Sequence, residues 1–419
     1  MNKQLSNKPQ KGYSDWFPQE YAIQDYIFQM WRKVCKSFGY EEYLTPLMEI
    51  ADIYRAKSGE DVGGKELMTC IDRGGRELAI RPEMTPSVTR MVSQKYNSLP
   101  KPIRYFSIAN FVRNEKPQRG RTREFWQLNY DIFGSDELIA DIEVLQVGLE
   151  IMLAFNPPKD AFTMYINNRV LIDEMLNNKC GVKGDEKAEI VRILDKWEKF
   201  DREDLVSRLV QLGLEDKQVE ILTLFAQSKT SEQLLNNFPD IGDNKGYQEV
   251  IESMKVLKSL GYSDYITFNP SIIRGFDYYD GLVFEVFDMQ PQNNRSIYGG
   301  GRYNGLASIF GKDSFPAVGC APGNVTTTLF LEDWGLLPEF STVPEYLVTI
   351  FSEELKGDSM KLAQKLRKEG KDVELSFMVG NLSKQISYAR KKGIRYVVII
   401  GEDEVKNGSY KVEEVVGSA

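Results

Sequence analysis

A long β-hairpin is the sequence feature that most restricts how this chain can fold. Two apolar, strand-like runs, residues 103–112 and residues 125–133, flank a polar segment that contains Pro117 and Gly120. Proline and glycine supply the backbone geometry of a turn, and the two runs have the β-branched and aromatic content of paired strands. The segment therefore predicts an antiparallel pair of strands joined by a short tip, and hence a fold built around a sheet.

The tip of this hairpin is rich in arginine, with Arg113, Arg119, Arg121 and Arg123 in eleven residues. A guanidinium group is planar and permanently charged, and it can pair with two phosphate oxygens at once. The composition therefore suits a polyphosphate ligand. The alternative is a solvated sheet edge on which the charges bind nothing.

Histidine is absent from all 419 residues of the chain. This absence excludes Ser-His-Asp and Cys-His nucleophile systems, imidazole acid–base catalysis and histidine-ligated zinc. Any catalysis must therefore rest on arginine, glutamate, lysine and metal-bound phosphate. Chance and design are the alternatives to a functional reason for the absence.

The composition is that of a globular protein with two or three domains, because 42% of the residues are hydrophobic and the net charge is only −8. Residues 1–11 are polar, and no run approaches 18 uninterrupted apolar residues. We therefore expect neither a signal peptide nor a membrane span, and a cytoplasmic protein. The cysteines, Cys35, Cys70, Cys180 and Cys320, lack metal-binding spacing and are expected to be buried thiols.

Helical and strand-like segments alternate in a pattern typical of an α+β fold. Apolar residues in 18–38 recur at helical spacing, and Gly39 follows where a helix commonly ends in a left-handed residue. Hairpin connections favour a largely antiparallel sheet flanked by helices. The strand-like segments are residues 43–50, 103–112, 125–133, 163–167, 283–287 and 317–321.

Changes of pattern along the chain predict its domains. Residues 1–170 and 263–337 would form one main domain, interrupted at 171–262 by a helical insertion without strand-like runs. Residues 344–419 alternate strands and helices, which predicts a small, separate α/β domain. That domain carries a basic patch, which suits nucleic acid or is a solvated helix face. The patch consists of Lys384, Arg390, Lys391, Lys392 and Arg395.

Four motifs must be interpreted together: Arg81-Pro82-Glu83-Met84-Thr85, the hairpin 113–127, Ile273-Arg274-Gly275-Phe276-Asp277-Tyr278-Tyr279 and Gly299-Gly300-Gly301-Arg302-Tyr303. Jointly they resemble the histidyl-tRNA synthetases, a family of class II aminoacyl-tRNA synthetases, over residues 11–415. The last two motifs separate this family from its prolyl, threonyl and glycyl relatives. The resemblance implies a class II synthetase-like antiparallel sheet in the main, catalytic domain and an anticodon-binding-like module at 344–419.

The resemblance also implies roles for individual residues. Arg113 would contact the α-phosphate of ATP, Arg121 the outer phosphates, and Phe125 would stack on adenine. Arg274 would be the second catalytic cation, where the substrate carboxylate attacks the α-phosphorus. The amino-acid pocket would consist of Glu83, Thr85 and Gln127 for the α-ammonium group, with Asp131, Tyr278, Tyr279 and Tyr303 at the imidazole end.

Some of these residues have other possible interpretations. Glu83 could cap the helix that opens near Thr85, and residues 299–301 could form a plain turn. Asp131 is one methylene shorter than the glutamate expected in this family, which weakens its expected contact with imidazole.

One motif departs from the family pattern. Val325 and Thr326 stand where a Glu-Arg pair normally follows the glycines of residues 319–323. The missing arginine usually clamps ATP. Arg302 is therefore a candidate nucleotide contact in its place, as is Lys312, and the alternatives are weaker nucleotide binding or loss of activity.

The implied activity is ATP-dependent activation of histidine through histidyl-adenylate, followed by transfer to tRNA(His). ATP and Mg²⁺ would be the cofactors, without dedicated metal ligands, and the first helix with residues 43–50 would form a homodimer interface. A histidine-free chain of this kind could still be translated when charged tRNA(His) is scarce. The alternative is a catalytically silent paralogue that senses histidine or regulates histidine biosynthesis, which Thr326 favours and Arg274 opposes.

We expect the substitution Arg274→Ala to lower the rate of adenylate formation by about 10²–10³-fold. Loss of one preorganised charge at such a site typically costs this much, because the reaction brings a carboxylate against a polyphosphate. Histidine-dependent pyrophosphate exchange measures the rate, and an unchanged rate would exclude the role.

Overall fold

The computed structural model describes residues 5–56, 61–182, 186–194, 202–273, 278–291, 295–311 and 314–415. The chain divides into two compact units. The first comprises Met1–Asp15 and Ile23–Leu337, and the second comprises Trp16–Ala22 and Pro338–Ala419. No helix in the described ranges combines the length and apolar character needed to cross a membrane.

The elements up to the end of the predicted catalytic domain's first part are, in chain order, α1 (Pro18–Ser37), β1 (Glu41–Glu42), β2 (Met48–Ile50), α2 (Asp52–Arg55), β3 (Met68–Ile71), β4 (Glu77–Ile80), α3 (Thr85–Lys95), β5 (Ile103–Val112), β6 (Glu124–Phe133), α4 (Leu138–Leu153), β7 (Phe162–Asn168) and α5 (Arg169–Asp173). The elements that follow in the first unit are α6 (Glu186–Leu194), α7 (Arg202–Gln211), α8 (Asp216–Gln227), α9 (Ser231–Asn237), α10 (Lys245–Ser259), β8 (Ile266–Phe268), β9 (Leu282–Asp288), β10 (Ser296–Arg302), β11 (Ala317–Cys320) and α11 (Asn324–Asp333).

The first unit is organised around a sheet that has eight strands among the described residues, in the order β1-β5-β6-β11-β10-β9-β7-β8. Its inner pairs are antiparallel, and the outermost pairs, β1 with β5 and β7 with β8, are parallel. The predicted α+β architecture is confirmed as a mixed sheet flanked by helices. A smaller sheet of the described chain has the order β2-β4-β3.

The predicted hairpin is β5 and β6, which pair without interruption from Ile103↔Phe133 to Val112↔Glu124. Beyond the strands, Arg113 N donates to Arg123 O at 2.8 Å, which continues the pairing toward the tip. Gly120 has a φ of +77°, so the tip uses the left-handed backbone that glycine adopts without strain. The prediction of a long hairpin with a glycine-containing tip is confirmed.

The opening helix is also confirmed, because α1 buries Ile27, Trp31 and Val34 along one face and Gly39 follows with a φ of +78°. The strand predicted at residues 43–50 is wrong. Of this range only residues 48–50 form a strand, β2, whereas β1 ends before the range at Glu42 and belongs to a different sheet. Pro46 lies between the two strands and has no backbone N–H to donate to a ladder. The cysteines are buried as predicted except for Cys70, which is exposed on β3.

The glycines 299–301 do not form the turn that was considered for them but lie inside β10, in the middle of the large sheet. A Cβ on Gly300 would lie 2.1 Å from Gly319 O of the adjacent β11. Glycine is therefore required here by the close approach of two strands and not by a turn.

Helices α5 to α10 follow one another between residues 169 and 259, and this described part of the insertion contains no strand. Helix α10 packs against α4, α5 and β7, which attaches the end of the helical segment to the sheet. The proposed boundaries of the insertion, 171–262, remain a prediction.

The second unit contains the predicted alternation of strands and helices. Its elements are β12 (Tyr346–Ile350), α12 (Lys356–Lys368), β13 (Val373–Val379), α13 (Leu382–Lys392), β14 (Tyr396–Ile399), α14 (Glu402–Asn407) and β15 (Lys411–Glu414). The sheet order is β13-β12-β14-β15, with β12 parallel to both neighbours and β15 antiparallel to β14. A small, separate α/β domain at the carboxyl terminus is therefore confirmed.

Candidate active site

One cavity of about 510 Å³ lies in the first unit, lined by the hairpin, by β10 and β11 and by the beginnings of α3 and α11. Most of the residues predicted for the site line this cavity, although their motifs are far apart in the chain. The predicted residues that line it are Glu83, Thr85, Arg113, Arg121, Phe125, Gln127, Asp131, Tyr278, Tyr279 and Tyr303. Arg274 lies outside the described residues, as does Lys312.

Strand β6 supplies a row of side chains to this cavity. Phe125, Gln127, Asn129 and Asp131 all line it, because alternate residues of a strand point to the same face. Asn129 was not predicted, although the same alternation would have found it. It is 3% exposed, and its Nδ2 has no hydrogen-bond partner within the described part of the chain.

Arg113 is oriented by two contacts at one end of the cavity. Its Nε donates to Pro82 O at 3.0 Å, and its guanidinium carbon lies 5.2 Å from the centre of the Phe125 ring. Phe125 itself stacks on Phe111, with ring centres 5.8 Å apart. A charged fork and an aromatic face are thus held side by side, which suits a ligand that combines a phosphate with a planar base.

Arg121 lies nearer to solvent, with its side chain 59% exposed and its Nη1 3.4 Å from Glu115 Oε2. The pair is long and its arginine is open to solvent, so the attraction is weak and a phosphate can replace the carboxylate as the partner of Arg121. The tip that carries Arg121 is fastened through Arg119, which pairs with Asp333 at 2.8 Å and accepts from Arg295 Nη1 at its carbonyl oxygen at 2.6 Å. Arg295 and Asp333 were not predicted, because their spacing from the hairpin carries no local pattern.

A polar cluster occupies the other end of the cavity. Tyr303 donates from its hydroxyl to Asp131 Oδ1 at 2.5 Å, and Tyr278 donates to Glu83 Oε2 at 3.0 Å. The rings of Tyr278 and Tyr303 are 5.8 Å apart, so the two pairs are neighbours. The interpretation of Glu83 as a helix cap is wrong, because Met84 holds the N-cap position of α3 and no side chain caps it.

Burial raises the pKa of Asp131 to about 7, although the hydrogen bond from Tyr303 acts in the opposite direction. The carboxylate is 4% exposed and lies against β11, where a Cβ on Gly319 would be 1.9 Å from its Oδ1. A group of this kind changes charge near neutral pH and can accept a hydrogen bond from a ligand N–H when it is ionised.

The structure disagrees with a nucleotide contact for Arg302, which does not line the cavity. Its Nε and Nη2 donate to the carboxylate of Asp141 at 2.9 and 2.5 Å, and its Nη1 donates to Ser135 O at 3.0 Å. Both members of this ion pair are buried, so the guanidinium serves to join β10 to α4. Removing a partner from a buried pair is strongly unfavourable, which ties Arg302 to Asp141.

Thr326 lines the cavity in the first turn of α11 but supplies no charge. Its hydroxyl donates to Ile297 O at 2.7 Å and to Gly323 O at 3.2 Å. The threonine therefore fastens the helix to β10 and leaves its position open on the cavity side. No acidic residue occupies the first turn of α11, so the positive end of the helix dipole is not offset locally.

Within the described residues, no group of three or more aspartate, glutamate or cysteine side chains could hold a metal ion alone. Carboxylates do line the cavity, among them Glu115 and Glu285. Mg²⁺ commonly binds through one or two carboxylates together with substrate phosphates. The donor set therefore fits Mg²⁺ that arrives with a polyphosphate ligand.

We expect Asp131→Asn to remove a pH dependence of stability. Because its folded-state pKa is raised, the folded protein keeps a proton that the unfolded chain releases, so the stabilisation is complete below about pH 4 and is lost as the pH rises to about 7. Urea unfolding at several pH values should show the free energy of unfolding of the unchanged chain falling, relative to that of the variant, by a few kcal/mol over this range. Parallel pH profiles for the two proteins would contradict the assignment.

Comparisons with known proteins agree with this geometry. The family model described as histidyl-tRNA synthetase matches residues 12–323, and that of an anticodon binding domain matches residues 345–418. The histidine–tRNA ligase of Leptospira biflexa is 39% identical over 418 residues, which cover 99% of this chain and 94% of the relative. The histidine–tRNA ligase of Pyrococcus furiosus is 34% identical over 410 residues, which cover 97% and 94%.

Solved structures share the fold. Histidyl-tRNA synthetase from Nostoc sp. PCC 7120 superimposes with a TM-score of 0.79 at 22% identity, covering 98% of this chain and 97% of that one. A Bacillus halodurans protein described as an ATP phosphoribosyltransferase regulatory subunit/histidyl-tRNA synthetase has a TM-score of 0.75 at 22% identity, covering 92% and 97%. With a family model over most of the chain and relatives above 30% identity along nearly all of it, the chain belongs to the histidyl-tRNA synthetase family.

Proposed function

We propose that this chain is a histidine–tRNA ligase that activates histidine with ATP and transfers it to tRNA(His). The observation that carries the proposal is that one cavity brings an arginine–phenylalanine pair together with a cluster of buried acids and tyrosines. The first group suits a nucleotide and the second an amino acid that has both a cation and ring N–H groups. The names of relatives that align over nearly the whole chain support the same activity.

The proposed mechanism is positioning and charge neutralisation. Phe125 stacks on adenine, Arg113 binds the α-phosphate and Arg121 the outer phosphates. A carboxylate oxygen of histidine attacks the α-phosphorus in line, a new oxygen–phosphorus bond forms, and the bond to the bridging oxygen breaks to release pyrophosphate. Arg274 is proposed to neutralise the approaching carboxylate, on the strength of its motif alone.

The proposed histidine pocket explains why acids and hydroxyls lie together. Glu83, Thr85 and Gln127 hold the α-ammonium group, and Gln127 is oriented by donating from Nε2 to Ala321 O at 3.2 Å. Asp131 accepts from one imidazole N–H while Tyr278, Tyr279 and Tyr303 enclose the ring. A site built to hydrogen-bond a ligand rejects analogues that lack those groups by about 10⁴-fold or more.

Mg²⁺ would enter with ATP and supply charge neutralisation at the phosphates. Glu115 and Glu285, which both line the cavity, are the carboxylates that would hold it together with the phosphates. The chain's own residues orient the substrates in either case.

A regulatory paralogue without catalysis is not favoured. The chain matches curated ligases over nearly its full length, including the module at residues 345–418. Arg113, which lies beside the Phe125 ring, and the half-exposed Arg121 also line the cavity, which supports their retention for a ligand. We place the enzyme in the cytoplasm, where its substrates occur.

Histidine-dependent exchange of pyrophosphate into ATP tests the proposed activity. We expect exchange with the unchanged chain, and a rate about 10²–10³-fold lower for Arg113→Ala, because one preorganised phosphate contact is lost. Arg76→Ala is the matched control, since Arg76 pairs with Asp72 on the surface, outside the cavity lining and the proposed dimer contact, and should leave the rate unchanged. Histidine binding without any exchange would instead identify a sensor.

We also propose a homodimer, which an apolar strip on the surface supports. Leu44, Leu47, Met48 and Ile50 are between 37% and 67% exposed in the segment around β2. Exposed apolar side chains grouped in this way mark interaction surfaces. The family resemblance assigns the same segment to the contact between two copies.

We expect the double substitution Leu44→Asp with Met48→Asp to convert the dimer to monomer, because charges would be desolvated at the contact. Sedimentation velocity measures the change. Leu260→Asp, on a residue that is 51% exposed elsewhere in the unit, should leave the dimer intact. A monomer for the unchanged chain at micromolar concentration would refute the proposal.

A further inference from the structure

Strand β6 extends beyond its partner β11 toward the tip of the hairpin. The regular ladder between the two strands ends where Tyr130 pairs with Cys320. Residues 124–129 of β6 lie past this point, and they include Phe125 and Gln127, which line the cavity. The contacts that hold this part of β6 on the side of β11 therefore affect the geometry of the site.

The side chain of Asn324 continues the ladder. Leu128 N donates to Pro322 O at 2.9 Å, and two residues nearer to the tip Trp126 N donates to Asn324 Oδ1 at 2.8 Å. Alternate N–H groups of a strand point to the same edge, so the asparagine oxygen occupies the position of a carbonyl that a longer β11 would offer. Asn324 is 3% exposed, so this hydrogen bond lies away from competing water.

Gln24 of α1 sets the orientation of the Asn324 amide. Asn324 Nδ2 donates to Gln24 Oε1 at 2.7 Å, and Gln24 Nε2 donates to Thr328 Oγ1 at 3.1 Å. The oxygen and nitrogen of an amide have nearly the same shape, so their hydrogen-bond partners decide which of them faces Trp126. Because Gln24 presents its oxygen, Asn324 turns its nitrogen toward α1 and its oxygen toward β6.

This line of hydrogen bonds joins three elements. Asn324 and Thr328 lie one turn apart on α11, Gln24 lies on α1, and Trp126 lies on β6. The ring of Phe28 on α1 is 5.3 Å from the ring of Trp126, which adds an aromatic contact between α1 and β6. The two amides and the ring contact thus fix the position of this part of β6 relative to both helices.

The two cavity residues beside Trp126 have different supports. Gln127 is fastened to the segment after β11, because its Nε2 donates to Ala321 O at 3.2 Å. Phe125 instead stacks on Phe111, which belongs to the same hairpin and moves with it. The hydrogen bond from Trp126 N to α11 therefore has more influence on the position of Phe125 than on that of Gln127.

We propose that Asn324, oriented by Gln24, is a positioning residue for ATP that holds the adenine-facing part of β6 against α11. Asn324 does not line the cavity, so it acts through Phe125 and not by touching the nucleotide. The role is important in this chain because Thr326 supplies no charge from α11, and the proposed nucleotide contacts all lie on the hairpin. The identity of the nucleotide rests on the proposed function.

Separate calorimetric titrations of the full chain with ATP, in the presence of Mg²⁺, and with histidine test the proposal. We expect Asn324→Leu to raise the dissociation constant of ATP by roughly 5- to 50-fold and to leave that of histidine within about twofold. Without the Asn324 oxygen, the Trp126 N–H is hydrated by a shift of β6 away from α11, and ATP binding must reverse this shift. Gln24→Met should raise the ATP constant by at least about twofold, because the Asn324 amide loses its fixed orientation.

Two further variants serve as rescue and control. Asn324→Asp keeps an oxygen for Trp126 N and places a negative charge in the first turn of α11, where the helix dipole favours it. It should therefore bind ATP more tightly than the leucine variant does. Gln385→Met removes a buried amide that accepts from Ile350 N at 3.0 Å in the second unit, and it should leave both dissociation constants unchanged.

An unchanged ATP constant in Asn324→Leu would overturn the proposal, and so would equal losses of affinity for ATP and histidine, which would indicate a general loosening of the site. Should the leucine variant not fold, the ratio of the two constants in Gln24→Met decides in the same way. Binding requires no catalysis. ATP binding without histidine-dependent exchange of pyrophosphate would refute the proposed activity, whereas the comparison of these affinities would still test the role of Asn324.

Discussion

The candidate active site depends on how closely three strand backbones approach one another beneath the cavity. A Cβ on Gly300 would lie 2.1 Å from Gly319 O, and one on Gly319 would lie 1.9 Å from Asp131 Oδ1. Side chains at these glycines would separate β10, β11 and β6 and displace Asp131 from Tyr303. The sheet therefore determines the geometry of the polar pocket, because the hydrogen bonds that pair the strands also set the position of the buried carboxylate.

Much of the fold could be predicted because its signals are local. The β5–β6 hairpin and helix α1 carry their own periodicity and their own turn or end signals within a few residues. Strand β10 could not be recognised, because its glycines have no side chains that could show an alternating pattern. Glycine is needed there because the neighbouring strand comes so close. The positions of the short strands β1 and β2 in two different sheets likewise depend on partners far along the chain, β5 and β4.

The residues of the site could be predicted where a short motif indicates what its side chains can bind. The row on β6 and the tyrosines of two distant motifs meet as expected, but Arg302 does not join them. Its partner Asp141 is 161 residues away, and nothing in the motif distinguishes a guanidinium that binds phosphate from one that fastens a helix to a sheet. Arg295 and Asp333 show the converse, since tertiary neighbours give them positions near the site that their local sequence does not reveal.

The absence of histidine from the chain simplifies an NMR study of the pocket around Asp131. The chain has no histidine residue, so in a sample that contains the protein and added histidine every imidazole nitrogen belongs to the added amino acid. Nitrogen NMR can therefore report the tautomer and charge of the bound ring without background from the protein. Since the neighbouring carboxylate has a pKa of about 7, a single titration can follow how a proton is shared between ligand and pocket.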